Sequence, residues 1–154
     1  MNALLLKLWK LLSFPKRFQI ALMRVMQDEF LVGLTGIILN DKNEILVVNH
    51  TYRDGNSYWS LPGGYSKGKE HPREGLAREI EEETGFIVRV DRELRIRTDR
   101  QTARLEISLL GHYVGGKFRP SDEVSEAKFC KFDDLPLLRQ SQLVLIQKVL
   151  ERRT

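Results

Sequence analysis

Apolar residues form short continuous or alternating runs in some segments of the chain, and in others they recur every three or four positions. Apolar runs rich in β-branched, leucine or aromatic residues occur at 30–39, 44–50, 58–61, 86–97, 105–114 and 127–132. Such short runs, bounded by turn-forming residues, predict strands. The residues Asn40 to Asn43 predict a hairpin between the first two strands, and a polar loop at 53–57 and a turn at Pro62-Gly63-Gly64 follow. The pattern therefore predicts a sheet of several strands.

The helical period, with apolar residues every three or four positions, occurs in four segments. Two of these segments, 3–13 and 16–27, lie on either side of Pro15, and the others span 72–84 and 138–150. Pro72 in the first turn and Gly85 just after the last are the signals expected at helix ends. We therefore predict an α/β fold, with an N-terminal helical extension at residues 1–29 and one domain at 30–154.

Composition limits what else the chain contains. Its 154 residues, 42% hydrophobic and 30% charged, suffice for one domain with its own core. The single cysteine, Cys130, excludes an internal disulfide and a thiolate metal site, so we expect a reducing, cytoplasmic compartment and a buried strand position for this residue. A net charge of +4 suits an anionic ligand such as a nucleotide, and equally suits nucleic acid or acidic lipid.

The third predicted helix carries the clearest chemistry. Glu79, Glu82 and Glu83 stand at positions i, i+3 and i+4, so their carboxylates project from one face. Carboxylates held this close repel one another unless a cation lies among them, and oxygen ligands suit Mg²⁺, with Mn²⁺ as a substitute. Taken alone, the run of glutamates also fits a solvated helix surface.

The residues around these glutamates form a longer pattern, GYSKGKEHPREGLAREIEEETGF at 64–86. It contains a glycine, five spacers, Glu, seven spacers, and then Arg-Glu-apolar-spacer-Glu-Glu-spacer-Gly-apolar. A chance match in such a chain is on the order of one in ten million. The pattern resembles the Nudix box of the Nudix hydrolases, and the resemblance covers roughly residues 30 to 150. The specified positions are Gly64, Glu70, Arg78, Glu79, Ile80, Glu82, Glu83, Gly85 and Phe86.

The resemblance implies a Nudix-type α/β/α sandwich with a mixed sheet. It also implies a Mg²⁺-dependent pyrophosphohydrolase that uses metal-activated water to cleave a nucleoside diphosphate derivative, NDP-X, to NMP and P-X. Arg78 would orient the glutamates by ion pairing, and Glu70 would have a structural role ahead of the helix. The implied metal ligands are the carboxylates of Glu79, Glu82 and Glu83 and the main-chain carbonyl of Gly63 or Gly64.

Hydrolysis also needs a general base. In the family this base is either a box glutamate or an acid on a downstream loop. The segment Ser121 to Glu126 precedes the last predicted strand, where such a loop would lie. Glu123 is our candidate base, with Glu126 and Asp122 as alternatives, and a merely solvated loop is the plain interpretation.

The substrate itself is not specified by any motif. Arg53 and Trp59 are candidate contacts to phosphate or base, although Trp59 also suits core packing. Residues 101–104, about sixteen positions beyond the box, have neither the proline expected of ADP-ribose hydrolases nor the tyrosine expected of dinucleoside polyphosphate hydrolases. The nucleotide and the leaving group therefore stay open.

Two alternative functions also stay open. Six arginines (89, 92, 95, 97, 100, 104) against three acids (91, 93, 99) indicate either the wet face of a strand pair or an RNA path, as in an RNA-end-processing Nudix enzyme. A non-catalytic, nucleotide-sensing Nudix-like module is the other alternative, although every box glutamate is present.

The predicted N-terminal helices carry a leucine-rich face, which we expect to be buried against another surface. Docking within the chain or a homodimer interface is the favoured interpretation. Binding to anionic lipid, through Lys7, Lys10, Lys16 and Arg17, is the alternative.

Overall fold

The chain divides into two units, residues 1–30 and residues 31–154. The computed structural model describes residues 15–20, 30–51, 59–99 and 102–151. In the first unit, residues 16–20 are helical, as predicted for the second N-terminal helix. The remainder of both predicted N-terminal helices lies outside the described residues, so the interpretations of this extension stay predictions.

Seven strands of the described residues form one mixed sheet. β1 runs parallel to β6, and every other strand pair is antiparallel. The order across the sheet is β3-β2-β1-β6-β5, with β4 also beside β1 and β7 also beside β2. The strands are β1 (Leu31–Leu39), β2 (Ile45–His50), β3 (Trp59–Ser60), β4 (Gly63–Tyr65), β5 (Phe86–Asp99), β6 (Arg104–Gly116) and β7 (Val124–Cys130).

The predicted hairpin between β1 and β2 is present, but the two strands separate at once. They pair only at Leu39 and Ile45, beside a turn in which the Asn40 side chain accepts hydrogen bonds from two main-chain N–H groups. Beyond this point β3 pairs with β2 and β4 pairs with β1, so the segment 59–65 fills the space between the diverging strands.

One prediction is wrong here: the glycines at 63 and 64 belong to strand β4, where the sequence predicted a turn. A Cβ atom at Gly63 would lie 2.1 Å from the Leu34 carbonyl oxygen. The glycine is therefore required by the close approach of β4 to β1, and no turn is needed to explain it.

Two longer helices cover the two faces of the sheet, α1 (Pro72–Thr84) and α2 (Gln140–Glu151). Because side chains alternate along a strand, β1 supplies residues to a core on each face. The core under α1 includes Leu76, Ile80, Leu34, Ile38 and Leu109. The core under α2 includes Ile146, Val149, Ile37, Leu39 and Val47. This arrangement is an α/β/α sandwich, and the predicted fold class is confirmed.

The ends of α1 follow from local chemistry. The His71 side chain accepts a hydrogen bond from the Arg73 N–H, and the Glu74 side chain accepts one from the His71 N–H, which forms a capping box before Pro72. The helix ends at Gly85, whose φ of 74° is left-handed. The bounds predicted from the sequence, 72–84, are those observed.

The last elements differ slightly from their predicted bounds. β7 begins at Val124, three residues early, because this fully buried valine continues the pairing with β2. Cys130 ends β7 in a buried position, as predicted. A short 3-10 helix follows at Phe132–Asp134, and α2 begins at Gln140. Among the described residues, no helix has the length and apolar character needed to cross a membrane.

We predict that Leu76→Ala lowers the free energy of unfolding by about 2–5 kcal/mol, because the substitution leaves a cavity between α1 and the sheet. Leu76 has no exposed surface. Urea denaturation measures the change. Leu137→Ala is the matched control, since Leu137 is 66% exposed and its truncation should cost far less. Similar losses in both variants would contradict the assigned core.

Candidate active site

The three predicted metal ligands lie on α1 along a gradient of burial. Glu83 is 6% exposed, the Glu79 side chain is 17% exposed and the Glu82 side chain is 54% exposed. Leu76 and Ile80, on the neighbouring stripe of the helix, are fully buried against the sheet. The packing of this stripe therefore fixes which carboxylates reach toward solvent and which do not.

Arg78 connects two of these carboxylates, Glu79 and Glu82, with the carboxylate of Glu70. Its Nη1 donates to Glu79 Oε1 at 2.7 Å and to Glu82 Oε2 at 2.9 Å. Its Nε and Nη2 donate to the two carboxylate oxygens of Glu70 at 3.1 and 2.8 Å, and Nη2 also donates to the Tyr65 carbonyl at 3.3 Å. The guanidinium thus offsets part of the repulsion among the glutamates and limits their orientations.

Glu70 anchors this arginine from the loop ahead of α1. Hydrogen bonds from Arg78, and then one from the Lys67 main-chain N–H, lower the pKa of Glu70 to about 2. Gly75 makes room for this carboxylate, since a Cβ atom there would lie 2.8 Å from Glu70 Oε1. The loop therefore places an ionised carboxylate where Arg78 needs a fixed partner.

Gly64 brings the main chain of β4 against the glutamates. A Cβ atom at this position would lie 2.4 Å from Glu79 Oε2, so no other residue fits without displacing the carboxylate. Gly64 and Glu79, which are fifteen residues apart in the sequence, are therefore in contact because β4 pairs with β1 under α1.

An open cavity of about 290 Å³ lies beside β4 on the face of the sheet that α2 covers. Gly64 contributes to its wall, and its polar lining residues are Thr35, Tyr65, Arg104, Glu106, Arg139 and Gln142. A hydrogen bond with the Tyr65 side chain raises the pKa of Arg104. These residues could not be predicted from the sequence as one site, because they are far apart along the chain and match no motif. Only the alternation of charged and apolar residues at 104–107 indicates that Arg104 and Glu106 share a face.

Comparison with known proteins places the chain in a family. The NUDIX domain family matches residues 30–149. The chain belongs to the Nudix hydrolase family. This match covers the described sheet and most of α2, and it begins just after the predicted N-terminal extension.

Relatives of this Nudix chain include proteins named for their substrates. An ADP-ribose pyrophosphatase of Methanocaldococcus jannaschii is 32% identical over 111 residues, or 70% of this chain and 65% of the relative. The chain thus spans slightly less than two thirds of that relative's length. The structure of an ADP-ribose pyrophosphatase from Streptococcus suis is 25% identical, with a TM-score of 0.66 over 79% of this chain and 92% of the other. A UDP-X diphosphatase structure shares the fold, with 23% identity and a TM-score of 0.70 over 92% of this chain and 74% of the other.

Nudix hydrolases generally use divalent metal ions, and the donors on α1 fit such an ion. The candidate side-chain ligands Glu79, Glu82 and Glu83 are all carboxylates, which hard divalent cations prefer. As they stand, no three His, Cys, Asp or Glu side chains of the described residues converge closely enough to hold an ion. Arg78 lies between Glu79 and Glu82. The Glu82 side chain is half-exposed, so it can turn away from Arg78 toward an ion. Three carboxylate donors suit a divalent metal.

The candidate base of the Nudix domain lies on the exposed loop before β7. Thr51 holds this loop, because its N–H donates to the Glu123 carbonyl at 3.0 Å and its Oγ1 donates to the Asp122 carbonyl at 2.6 Å. Glu126 lies within β7 opposite Asn49. Since β7 begins opposite the end of β2, the loop is at the same end of the sheet as β4 and Gly64.

The two predicted substrate contacts have different outcomes. Trp59 is half-buried and packs against the core under α2, and Lys128 Nζ lies 4.4 Å from the centroid of its ring. Its contact with substrate stays a prediction. Arg53 lies outside the described residues, and so does the loop predicted around it.

The arginines of β5 and β6 are largely matched by acids. Arg89 pairs with Asp91, and Arg97 and Arg104 both pair with Glu106. Arg73 of α1 makes a two-pronged pair with Glu93 of β5, which lowers the pKa of Glu93 to about 2. Much of the basic stretch is therefore a charged strand surface, which gives no particular support to an RNA path.

We predict that Glu70→Gln lowers the melting temperature near neutral pH and that this loss disappears in acid. The pKa of Glu70 is about 2 in the folded chain and 4.5 as a model value, so its stabilisation is present above about 4.5 and is lost as the pH falls through about 2. Thermal unfolding of both proteins from about pH 7 to about pH 2 measures the difference. Glu81→Gln on the exposed surface of α1 is the control. A difference that does not change with pH would contradict the ion pair with Arg78.

Proposed function

We propose that the protein is a Mg²⁺-dependent pyrophosphohydrolase that cleaves the diphosphate linkage of a nucleoside diphosphate derivative. Mn²⁺ substitutes for Mg²⁺ in this proposal. The products are a nucleoside monophosphate and the phosphorylated remainder of the substrate. A cytoplasmic location stays a prediction from the single cysteine.

The observation that carries the proposal is the presence of Glu79, Glu82 and Glu83 on one helix, α1, with Arg78 bound to the first two of them. A cluster of carboxylates with its own fixed guanidinium is costly to assemble, and a surface helix has no need of it. In addition, Gly64 brings the main chain of β4 into contact with Glu79. These features suit the binding of divalent cations together with the anionic oxygens of a diphosphate.

The names of the relatives support the same class of substrate. Two of them are ADP-ribose pyrophosphatases, at 32% and 25% identity. Residues 101–104 of this chain, however, lack the proline expected of ADP-ribose hydrolases. The proposal therefore specifies a nucleoside diphosphate linked to a second group, and it leaves the base open.

In the proposed reaction, Glu79, Glu82 and Glu83 would hold the metal, and Arg78 keeps Glu79 and Glu82 in place. Bound divalent ions would neutralise the charge of the diphosphate and lower the pKa of an attacking water. The burial of Glu83 keeps its carboxylate in a fixed position, which favours one orientation of the phosphate oxygens.

Glu123 is the proposed general base. The water oxygen forms a bond to one phosphorus as the bond from this phosphorus to the bridging oxygen breaks, and the Glu123 carboxylate accepts the water proton. The bridging oxygen leaves on the second phosphate. The two hydrogen bonds from Thr51 to this loop support the role, because they limit the positions of the main chain around Glu123.

We predict that Glu83→Gln abolishes Mg²⁺-dependent turnover and leaves the fold intact. Loss of a residue that only supports a metal ligand costs up to about 100-fold in activity. Loss of a ligand itself should therefore cost more than about 100-fold. Turnover is measured on a panel of nucleotide sugars, ADP-ribose, dinucleoside polyphosphates, CDP-alcohols, nucleoside triphosphates and capped RNA, with Mg²⁺ and with Mn²⁺. Circular dichroism checks the fold. Glu81→Gln is the matched control from the same helix. Undiminished turnover in Glu83→Gln would remove this residue from the site.

We also predict that Glu123→Gln slows turnover by roughly 10²- to 10⁴-fold, the usual contribution of a general base. The affinity for Mg²⁺ or Mn²⁺, measured by titration calorimetry, should stay unchanged. Asp122→Asn and Glu126→Gln are the controls on the same segment. If either control loses more activity than Glu123→Gln, the base is reassigned, and if none of the three loses activity, the base is a box glutamate.

A further inference from the structure

Two cations hold the two carboxylate oxygens of Glu82, the most exposed of the three candidate glutamates. Arg78 Nη1 donates to Glu82 Oε2 at 2.9 Å, and Lys67 Nζ lies 3.5 Å from Glu82 Oε1. These oxygens are also the atoms that a divalent cation prefers. Metal binding at Glu82 therefore competes with the ion pairs that this carboxylate already makes.

The two cations differ in how firmly they are held. The Arg78 side chain is 22% exposed and also pairs with Glu70 and Glu79, so it stays in place when it loses Glu82. The Lys67 side chain is 61% exposed, and Glu82 is its one ion-pair partner within the described ranges. Exposed ion pairs of this kind are weak. Lys67 is therefore the cation that gives way when Glu82 turns toward an ion.

The main chain of Lys67 stays fixed when its side chain moves. Its N–H donates to Glu70 Oε1, and the N–H of Ser66 donates to the Val32 carbonyl at 2.9 Å. Glu70 is itself held by Arg78. The displaced ammonium group therefore remains near the glutamates, where it and a divalent ion repel each other unless an anion lies between them.

A diphosphate supplies such an anion. Divalent ions and lysine ammonium groups both bind phosphate oxygens. Without substrate, Lys67 has Glu82 as its partner and opposes the ion. With substrate, the same positive charge gains phosphate oxygens as partners. One side chain thus acts against the metal alone and in favour of the metal together with the diphosphate.

We infer that Lys67 couples metal binding to substrate binding. It covers Glu82 in the substrate-free protein, and it moves to the diphosphate when ion and substrate are bound together. The lysine therefore weakens metal binding by the free protein and strengthens diphosphate binding by the metal-loaded protein. This inference rests on the proposed function.

The first test measures metal binding without substrate. Lys67→Met removes the ammonium group and keeps the main-chain hydrogen bond to Glu70. We expect the Kd for Mn²⁺, measured by titration calorimetry, to fall about two- to fivefold, as for the loss of a weak competing ion pair. Lys69→Met is the matched control, because Lys69 lies on the same exposed loop and makes no ion pair with any described residue.

The second test measures substrate binding at saturating Mg²⁺. KM for the nucleoside diphosphate derivative that the wild-type protein hydrolyses best should rise about tenfold in Lys67→Met, as for one lost charged hydrogen bond, with kcat unchanged. Lys69→Met should change neither value. A residue that only supports the loop would weaken the binding of metal and substrate together. Tighter metal binding combined with weaker substrate binding is therefore specific to the inferred role.

The two tests separate this inference from the proposed function. If the wild-type protein hydrolyses none of the substrates, the pyrophosphohydrolase proposal fails, and calorimetric binding of the preformed complex of Mg²⁺ with pyrophosphate replaces KM. Weaker binding of this complex by Lys67→Met, together with tighter binding of Mn²⁺, supports the coupling without hydrolysis.

Four results would overturn the inference. They are the absence of Mn²⁺ binding to the wild-type protein, an unchanged or higher Kd for Mn²⁺ in Lys67→Met, an equal fall of this Kd in Lys69→Met, and unchanged binding of the diphosphate in Lys67→Met.

Discussion

The separation of β1 from β2 is the constraint on which the candidate site depends. The strands pair at one position and then diverge, so the segment 59–65 lies between them. Gly63 and Gly64 are the residues that make this insertion sterically feasible, since a side chain at Gly63 would overlap the β1 main chain and one at Gly64 would overlap Glu79. The contact between strand and helix, and the cavity on the other face, both follow from this insertion.

The electrostatics of the site are organised by Arg78. Its guanidinium is shared by three carboxylates, and the one on Glu70 comes from a loop whose conformation is fixed by hydrogen bonds to the main chain. The carboxylates differ in exposure, with Glu83 buried and Glu82 half-exposed. The Glu83 carboxylate is held in place by burial, whereas the Glu82 carboxylate can reorient. This combination suits reversible binding of a cation, because the helix does not have to move.

The sequence predicted the parts of the molecule that local chemistry determines. The bounds of α1 follow from its capping residues and from Gly85, and the family follows from a pattern that α1 and its flanking loops carry without help from the remainder of the chain. Long-range pairing was harder to predict. The glycines of β4 were assigned to a turn because nothing local shows that β1 passes against them. Arg104 and Gln142 meet at the cavity only because β6 and the start of α2 are brought together by the fold.

The glutamates and the cavity lie on opposite faces of the sheet, and a different helix packs on each face. α1 packs on one face with the glutamates, and Arg139, just before α2, and Gln142, in its first turn, line the cavity on the other. The cores beneath the two helices share strands but have no side chain in common, because neighbouring residues of a strand point in opposite directions. Substitutions in the first turn of α2 can therefore change the cavity while the glutamate-bearing surface of α1 stays as it is. Such modularity offers one physical reason why a single set of hydrolytic residues can serve a family with many different ligands.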